Sequence, residues 1–509
     1  MFERTNESSA LFITNMNEKN KEDSFVRQKM KDFWESHEPS LESMLLCHDT
    51  IPLANDDRKE ILSYLPNYQG KKVLELGAGI GRFTCKLASV ASHVTAVDFN
   101  QTYITENHKH NHHLGNVTFT CADVTELDLP TASFDLVFSN WLFMYLSDNE
   151  CAQVLSKILS WLTPDGYLFF RESCYKISGN MVFTENPSLL RSPLHYYDML
   201  RDASSNNFGF KIIRSSNTLA YIKYNSNPNQ LCFLSKLVQR NESDDRTRYL
   251  ESHYAVDTIK SMDRIYGYNW YSTGGEHTTR DFCARLGLLP GQKVLDVGCG
   301  TGGSATFMAR HYGVHVHGVD LSTNMIHVAI ERLGRLEAQV IKRIQFEVSD
   351  ILEAEREKDS YDLIYSRDCI LYITDKQQVF RKLYDWLRPG GTLFVTDFCR
   401  TNSHPPNSFL HYASNVKYYC LETAASYVEA MTEAGFEDVK AEDLQQEFIK
   451  ILESELKAFV ATRQAFLREH SQQQFDDIFK SWTDKIRWTR EGELTWTAFT
   501  AHKTSARLN

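Results

Sequence analysis

The feature that most constrains this chain is a glycine-turn signature that occurs twice. The first copy is VLELGAGIGRF (Val73–Phe83) and the second is VLDVGCGTGGS (Val294–Ser304). In each, an apolar strand runs into an acid, Glu75 or Asp296, and then a glycine turn. A second apolar strand follows and ends in an acid, Asp98 or Asp320. A third acid comes later, Asp123 or Asp350. Gly77 and Gly298 are 221 positions apart, Asp98 and Asp320 222, and Asp123 and Asp350 227. Near-constant spacing predicts two complete nucleotide-binding domains in tandem.

The 509-residue length agrees, since one core rarely extends that far. Residues 1–24 are polar and read as a disordered tail. Residues 25–238 form the first expected domain, 239–248 a charged linker and 249–509 the second domain. Helical spacing covers 25–66. From Val73 onward, strands alternate with amphipathic helices, which predicts α/β domains, each with a mostly parallel seven-stranded sheet and helices on both faces. First-domain strands are expected at Val73–Leu76, His93–Val97, Val117–Cys121, Leu136–Ser139 and Tyr167–Arg171, with LAYIKY (Leu219–Tyr224) and QLCFLSKLV (Gln230–Val238) as the last. In the second domain they are expected at Val294–Val297, His315–Val319, Ile344–Val348, Leu363–Ser366 and Thr392–Asp397. Lys480–Lys503 reads as a helix end, a turn and a closing strand.

A net charge of −11 argues against tracking a nucleic-acid backbone. No apolar run reaches membrane-spanning length. The expectation is a cytoplasmic monomer with no nucleic-acid partner. The eleven cysteines lack paired spacing and read as reduced, with Cys47, Cys85, Cys121 and Cys299 packed in or beside apolar segments. The histidines of NHKHNHH (Asn107–His113) read as a solvated helix end, and no metal is expected.

A glycine turn between strand and helix brings backbone N–H groups close to a ligand. Gly77, Gly79 and Gly81 do this in the first copy, Gly298 and Gly300 in the second. A carboxylate at Glu75 or Asp296 suits a ligand ammonium and repels a pyrophosphate, which disfavours a nicotinamide dehydrogenase. Asp98 and Asp320 are placed to accept ribose hydroxyls. Asp123 and Asp350 lie where an adenine amino group would be. Together these features point to S-adenosylmethionine, one per domain, as in class I S-adenosylmethionine-dependent methyltransferases. The resemblance to that class adds Val124, Leu321 and Ile351, beside the acids, and Asn140 and Arg367, ending the fourth strands, to the expected cofactor set.

The flanking strings LPNYQGKKVLELGAGIGRFT, FSNWLFMYLSD, RIYGYNWYSTGG, YSRDCILYI and DWLRPGGTLFVTDFCR resemble the two-domain, plant-like phosphoethanolamine N-methyltransferases. That resemblance implies successive methylation of the phosphoethanolamine amine to phosphocholine, the first domain starting the series and the second continuing it. In the second domain it assigns Tyr254, 13 positions before Gly267, and Asp368 to catalysis, with Tyr372 standing where a histidine is usual. Trp270, Tyr271 and Ser272 fit a lid over the cofactor, Trp270 counting among the substrate contacts. Tyr412, Tyr418 and Lys485 fit the phosphobase pocket. In the first domain it assigns Tyr145 to catalysis and Arg191 and Tyr196 to substrate. Met262 and Phe398 replace tyrosines, Leu189 and Leu190 replace a His–Tyr pair, and Val416 stands where an arginine grips phosphate. Losing that charge-assisted contact costs about 1.5–3 kcal/mol. Two alternatives stay open: a different small amine acceptor, or one domain kept as a non-catalytic scaffold.

Overall fold

The computed structural model describes residues 26–46, 51–179, 186–240, 253–402 and 404–504. The expected tail, Cys47 and most of the expected linker lie outside them. The chain divides into two compact units between Asn241 and Glu242.

In the first unit, β1 (Lys72–Leu76), β2 (His93–Asp98), β3 (Val117–Cys121), β4 (Phe134–Asn140) and β5 (Leu162–Ser173) are followed by the short β6 (Ser204–Ser205), β7 (Phe208–Asn217) and β8 (Gln230–Gln239). The sheet order is β7-β8-β5-β4-β1-β2-β3, with β6 on the edge of β7. Strands β1 to β5 pair in parallel, and β8 runs antiparallel to both β5 and β7. The second unit repeats this plan. Its strands are β9 (Lys293–Val297), β10 (His315–Asp320), β11 (Ile344–Ser349), β12 (Tyr361–Arg367), β13 (Leu387–Arg400), β14 (Glu437–Asp443) and β15 (Leu494–His502). Their order is β14-β15-β13-β12-β9-β10-β11, antiparallel only at β15. Two tandem, mostly parallel α/β methyltransferase-type domains result. In both, strand order reverses beside the glycine-turn strand, which opens a crevice at the carboxyl ends of β1 and β4, and of β9 and β12.

Val73, Leu74 and Leu76 are fully buried, as are Val294 and Leu295, because crossover helices cover both faces of a parallel sheet. The expected strand Val117–Cys121 coincides with β3, and the other expected strands lie within observed ones that extend by one to several residues. LAYIKY is an exception, since Leu219–Asn225 is a helix. Its first N–H groups, Leu219 and Ala220, donate to the Glu60 carboxylate at 2.6 and 2.8 Å. This cap comes from the helix Ile51–Tyr64, distant in sequence, and its N-terminal charge favours helix over strand for a short apolar run. Cys121 departs from the expected packed setting and is exposed, because β3 is the sheet edge. The ten described cysteines are free. The histidine-rich run forms the end of the helix Gln101–Asn111 and a 3-10 turn, His112–Leu114.

Candidate active site

The two glycine turns fold alike. Gly77, Gly79 and Gly81 have φ of 69°, 54° and 87°, and Gly298, Gly300 and Gly302 have 72°, 54° and 84°. These left-handed values turn the backbone amides toward the acid of the next strand. Gly79 N donates to Asp98 Oδ2 at 2.8 Å, and Gly300 N donates to Asp320 Oδ2 at 2.9 Å. The other carboxylate oxygen takes Asn100 N or Ser322 N, each at 2.9 Å. Burial pushes Asp98 up to about 6 and also raises Asp320.

The first acids differ between the copies. Thr84 Oγ1 donates to Glu75 Oε2 at 2.6 Å, and burial pushes Glu75 up to about 8. Asp296 is equally buried and lies at about 7, but its Oδ2 has no donor among the described residues. Asn140 Oδ1 is orphaned in the same way. An orphaned acceptor here fits the ammonium of S-adenosylmethionine, which supplies a donor of the right sign.

In the first domain, these groups line a cavity of about 120 Å³. Glu75, Gly77, Gly79, Asp98, Asp123, Val124, Asn140 and Tyr145 are all at its wall. Arg27, Met30 and Trp34, from the helix spanning 26–35, also line it. Asp123 is caged rather than free: Arg27 and Lys31 approach it at 3.4 and 3.1 Å, and Thr125 N and Oγ1 donate to it. Asp350 accepts from Leu352 N, at 2.9 Å. Gly81 lies behind the turn, where any Cβ would strike Asn107.

Arg191 and Tyr196 stand outside this lining. The Arg191 guanidinium donates to the carbonyls of Phe143 and Leu146 at 2.8 and 2.5 Å and to Asp148 at 2.8 Å. It clamps the turn carrying Tyr145 rather than reaching into the cavity. Tyr196 is core, packed between Phe170 and Phe233. Tyr145 meets Trp34 edge-on at 5.5 Å. Trp141, at φ 57°, occupies the place that Asp368, at φ 52°, holds in the second domain. The Arg171 guanidinium covers the Trp141 ring at 3.5 Å, and a buried Asp57 joins Arg171 to Arg82.

In the second domain, Asp368 is held by three donors: Thr273 N (3.0 Å), Thr396 Oγ1 (3.0 Å) and Trp496 Nε1 (2.9 Å). The first of these ties it to the segment of Tyr271 and Ser272. Tyr254 packs on Tyr271 at 5.9 Å, and Tyr271 on Tyr266 at 5.8 Å. Tyr372 meets Tyr419 at 5.4 Å. Lys485 is buried over Trp482 at 4.2 Å. Tyr412 packs with Trp488 and Phe409, and Tyr418 follows at φ 55°. Trp270 sits against Phe307, behind the glycine turn. Arg367 turns its guanidinium onto Thr273, Thr278 and Thr279, leaving only its backbone for a ligand. Ile351 is buried and Leu321 is 60% exposed.

Sequence reasoning missed several groups. Phe99, the counterpart of Leu321, lines the first cavity and was within reach of the repeat spacing. Glu172 accepts the N–H groups of Leu142, Phe143 and Met144 at 2.8–3.1 Å and so shapes the Tyr145 turn. Glu455 accepts from Gly274 N and Trp482 Nε1, both at 2.9 Å. Neither acid carries a motif that sequence could show.

Fold, turns and acids define a protein with two S-adenosylmethionine-dependent methyltransferase domains. Methyltransferase-domain family profiles match residues 73–166 and 288–480. The chain is 41% identical over 489 residues to phosphoethanolamine N-methyltransferase 1 of Triticum aestivum, covering 94% of this chain and 97% of that protein. It is 39% identical over 487 residues to phosphoethanolamine N-methyltransferase 3 of Arabidopsis thaliana, covering 94% and 98%. The phosphoethanolamine N-methyltransferase 2 of Haemonchus contortus, solved with phosphomonomethylethanolamine and S-adenosylhomocysteine, superposes with a TM-score of 0.72 at 23% identity, covering 89% of this chain and 100% of that one. This chain belongs to the phosphoethanolamine N-methyltransferases.

Proposed function

We propose that the chain methylates phosphoethanolamine stepwise toward phosphocholine, the first domain starting the series and the second continuing it. The observation that carries this reading is full-length identity with plant enzymes of that name. We place the enzyme in the cytoplasm as a monomer acting on a small phosphobase. No described helix is long and apolar enough to cross a membrane.

Bound S-adenosylmethionine supplies a methyl group on a sulfonium, a leaving group that needs no further activation. The protein must present a neutral amine in line with it. Asp368, fixed by three donors, attracts and orients the amine, and we assign Tyr254 and Tyr372 as the hydroxyls that act with it. In the first domain no carboxylate stands at that place, and Tyr145 takes the orienting role next to Trp141. Aromatic faces favour the cationic products of each step.

Val416, 44% exposed, favours a second reading, in which the second domain is a scaffold or takes another amine. A mass-resolved assay offering phosphoethanolamine and its monomethyl and dimethyl forms separately distinguishes the two. Wild type is expected to convert all three. Asp98→Ala should lose the first methylation, and Asp320→Ala should stop at the monomethyl product. If Asp320→Ala changes nothing, the second domain is a scaffold. No turnover of any acceptor, with cofactor bound, sinks the phosphobase assignment.

A further inference from the structure

The second domain brings two lysines, Lys485 and Lys417, onto one helix beside acids that other groups already engage. Lys485, on the helix Gln472–Arg490, is 6% exposed, and its ammonium makes no hydrogen bond or ion pair among the described residues. The acids acting on it, Glu455 and Asp368, are already engaged by other donors. Lys417 reaches the same helix face: its Nζ donates to Ser481 Oγ at 2.7 Å, one turn before Lys485. Ser481 and Lys485, four apart on the helix, have Cβ atoms roughly 5–6 Å apart, and the Lys485 charge acts directly on Lys417. His253 lies in the field of both lysines, and burial first and then their charges push it down to about 3, so its imidazole adds no charge. On the outer side Asp484 and Asp477 face Lys417, and Asp484 is itself paired with Lys480 and Arg487.

The backbone explains how Lys417 arrives there. Tyr412–Val416 is a π-helical turn, and Lys417 N donates to Tyr412 O at 3.0 Å, five residues back. In an α-helix the residue above Tyr412 would be Val416. The wider turn inserts one residue, leaving Val416 half in solvent and bringing Lys417 inward.

We propose that Lys417 and Lys485 together seat the phosphate dianion of the second domain's acceptor, with the π turn giving Lys417 the position that Val416 cannot serve. The inference rests on the phosphobase reading above. Burial, and then the Lys485 charge, push Lys417 down to about 7, which is the repulsion a bound dianion relieves.

The test is quantitative lysine acylation of the full-length protein at neutral pH, read peptide by peptide by mass spectrometry. The probes are phosphocholine, inorganic phosphate and choline. Lys417 and Lys485 should be protected together by the first two and by choline not at all. Lys417→Met should raise the phosphocholine concentration that half-protects Lys485 at least tenfold, at unchanged melting temperature. Adding Val416→Arg should restore it, a rescue that a merely structural lysine would not show. Protection of Lys485 alone, or an unchanged curve in Lys417→Met, overturns the proposal. If neither lysine is protected while Asp320→Ala still methylates phosphoethanolamine, the proposal fails and the phosphobase reading of the first domain stands. If that turnover is also absent, the phosphobase reading itself fails.

Discussion

Two buried acids show how single side chains set this chemistry. Glu172 accepts three backbone N–H groups from the Tyr145 turn, and burial still pushes it up to about 7. A carboxyl whose folded value is raised binds its proton more tightly in the native state. Its contribution is therefore fully present below about pH 4.5 and is lost as pH rises through about 7. The shift corresponds to about 3 kcal/mol. Glu172→Gln should flatten that part of the stability–pH profile, measured by denaturant unfolding at pH 5 and pH 8. It should also cost about 1–3 kcal/mol at pH 5, because an amide cannot accept all three N–H groups. An unchanged slope would mean Glu172 stays ionised throughout. Asp368 shows the converse constraint, with three donors converging on one carboxylate. Asp368→Asn turns an NH₂ toward one of them and removes the charge facing the amine. At about 1.5–3 kcal/mol this should lower second-domain kcat by one to two orders of magnitude, measured with the dimethyl acceptor. Retained kcat would remove Asp368 from the reaction.

At the level of elements, what the sequence shows depends on where the deciding interaction comes from. The β1, β2, β9 and β10 strands are largely apolar segments leading into a glycine turn or ending in an acid, so local pattern finds them. The acids Asp98 and Asp320 are equally visible, because each must follow its strand to meet the amide of Gly79 or Gly300. LAYIKY is not legible in this way. Its five apolar residues suit strand or helix, and Glu60, about 160 positions away, decides between them. The π turn at Tyr412–Val416 is hidden for a similar reason, since one inserted residue changes which side chain faces inward without altering composition. Arg191 sits near the expected site in sequence, yet its fork is drawn onto the carbonyls of Phe143 and Leu146. The cap gives a direct test. Glu60→Ala leaves two amides of a seven-residue helix without an acceptor, and a helix that short does not persist alone. Stability of the first domain should fall by about 1–2 kcal/mol, with hydrogen-exchange protection lost first across 219–225. Protection that survives there would show that packing of Tyr221 alone holds the helix.

For the whole molecule, the repeat has kept its cofactor geometry and changed its acceptor side. The glycine turns agree to within a few degrees in φ, and both strand-end acids accept the same turn amide. Around the reacting groups the domains diverge: Trp141 under Arg171 in one, Asp368 under Trp496 in the other. Conserved cofactor geometry with divergent acceptor geometry predicts two S-adenosylmethionine sites per chain, each tied to its own acid. Equilibrium binding should give a stoichiometry of two for wild type and one for either Asp98→Ala or Asp320→Ala. A ligand at a thousand times its dissociation constant stabilises only the unit that binds it, by about 4 kcal/mol. Saturating cofactor should therefore separate the melting of the two units in each single variant, with opposite units raised in the two cases. Calorimetric scans with and without ligand measure this. A single site in wild type, lost in one variant and untouched in the other, would mean that one copy of the turn has kept its fold and given up its ligand.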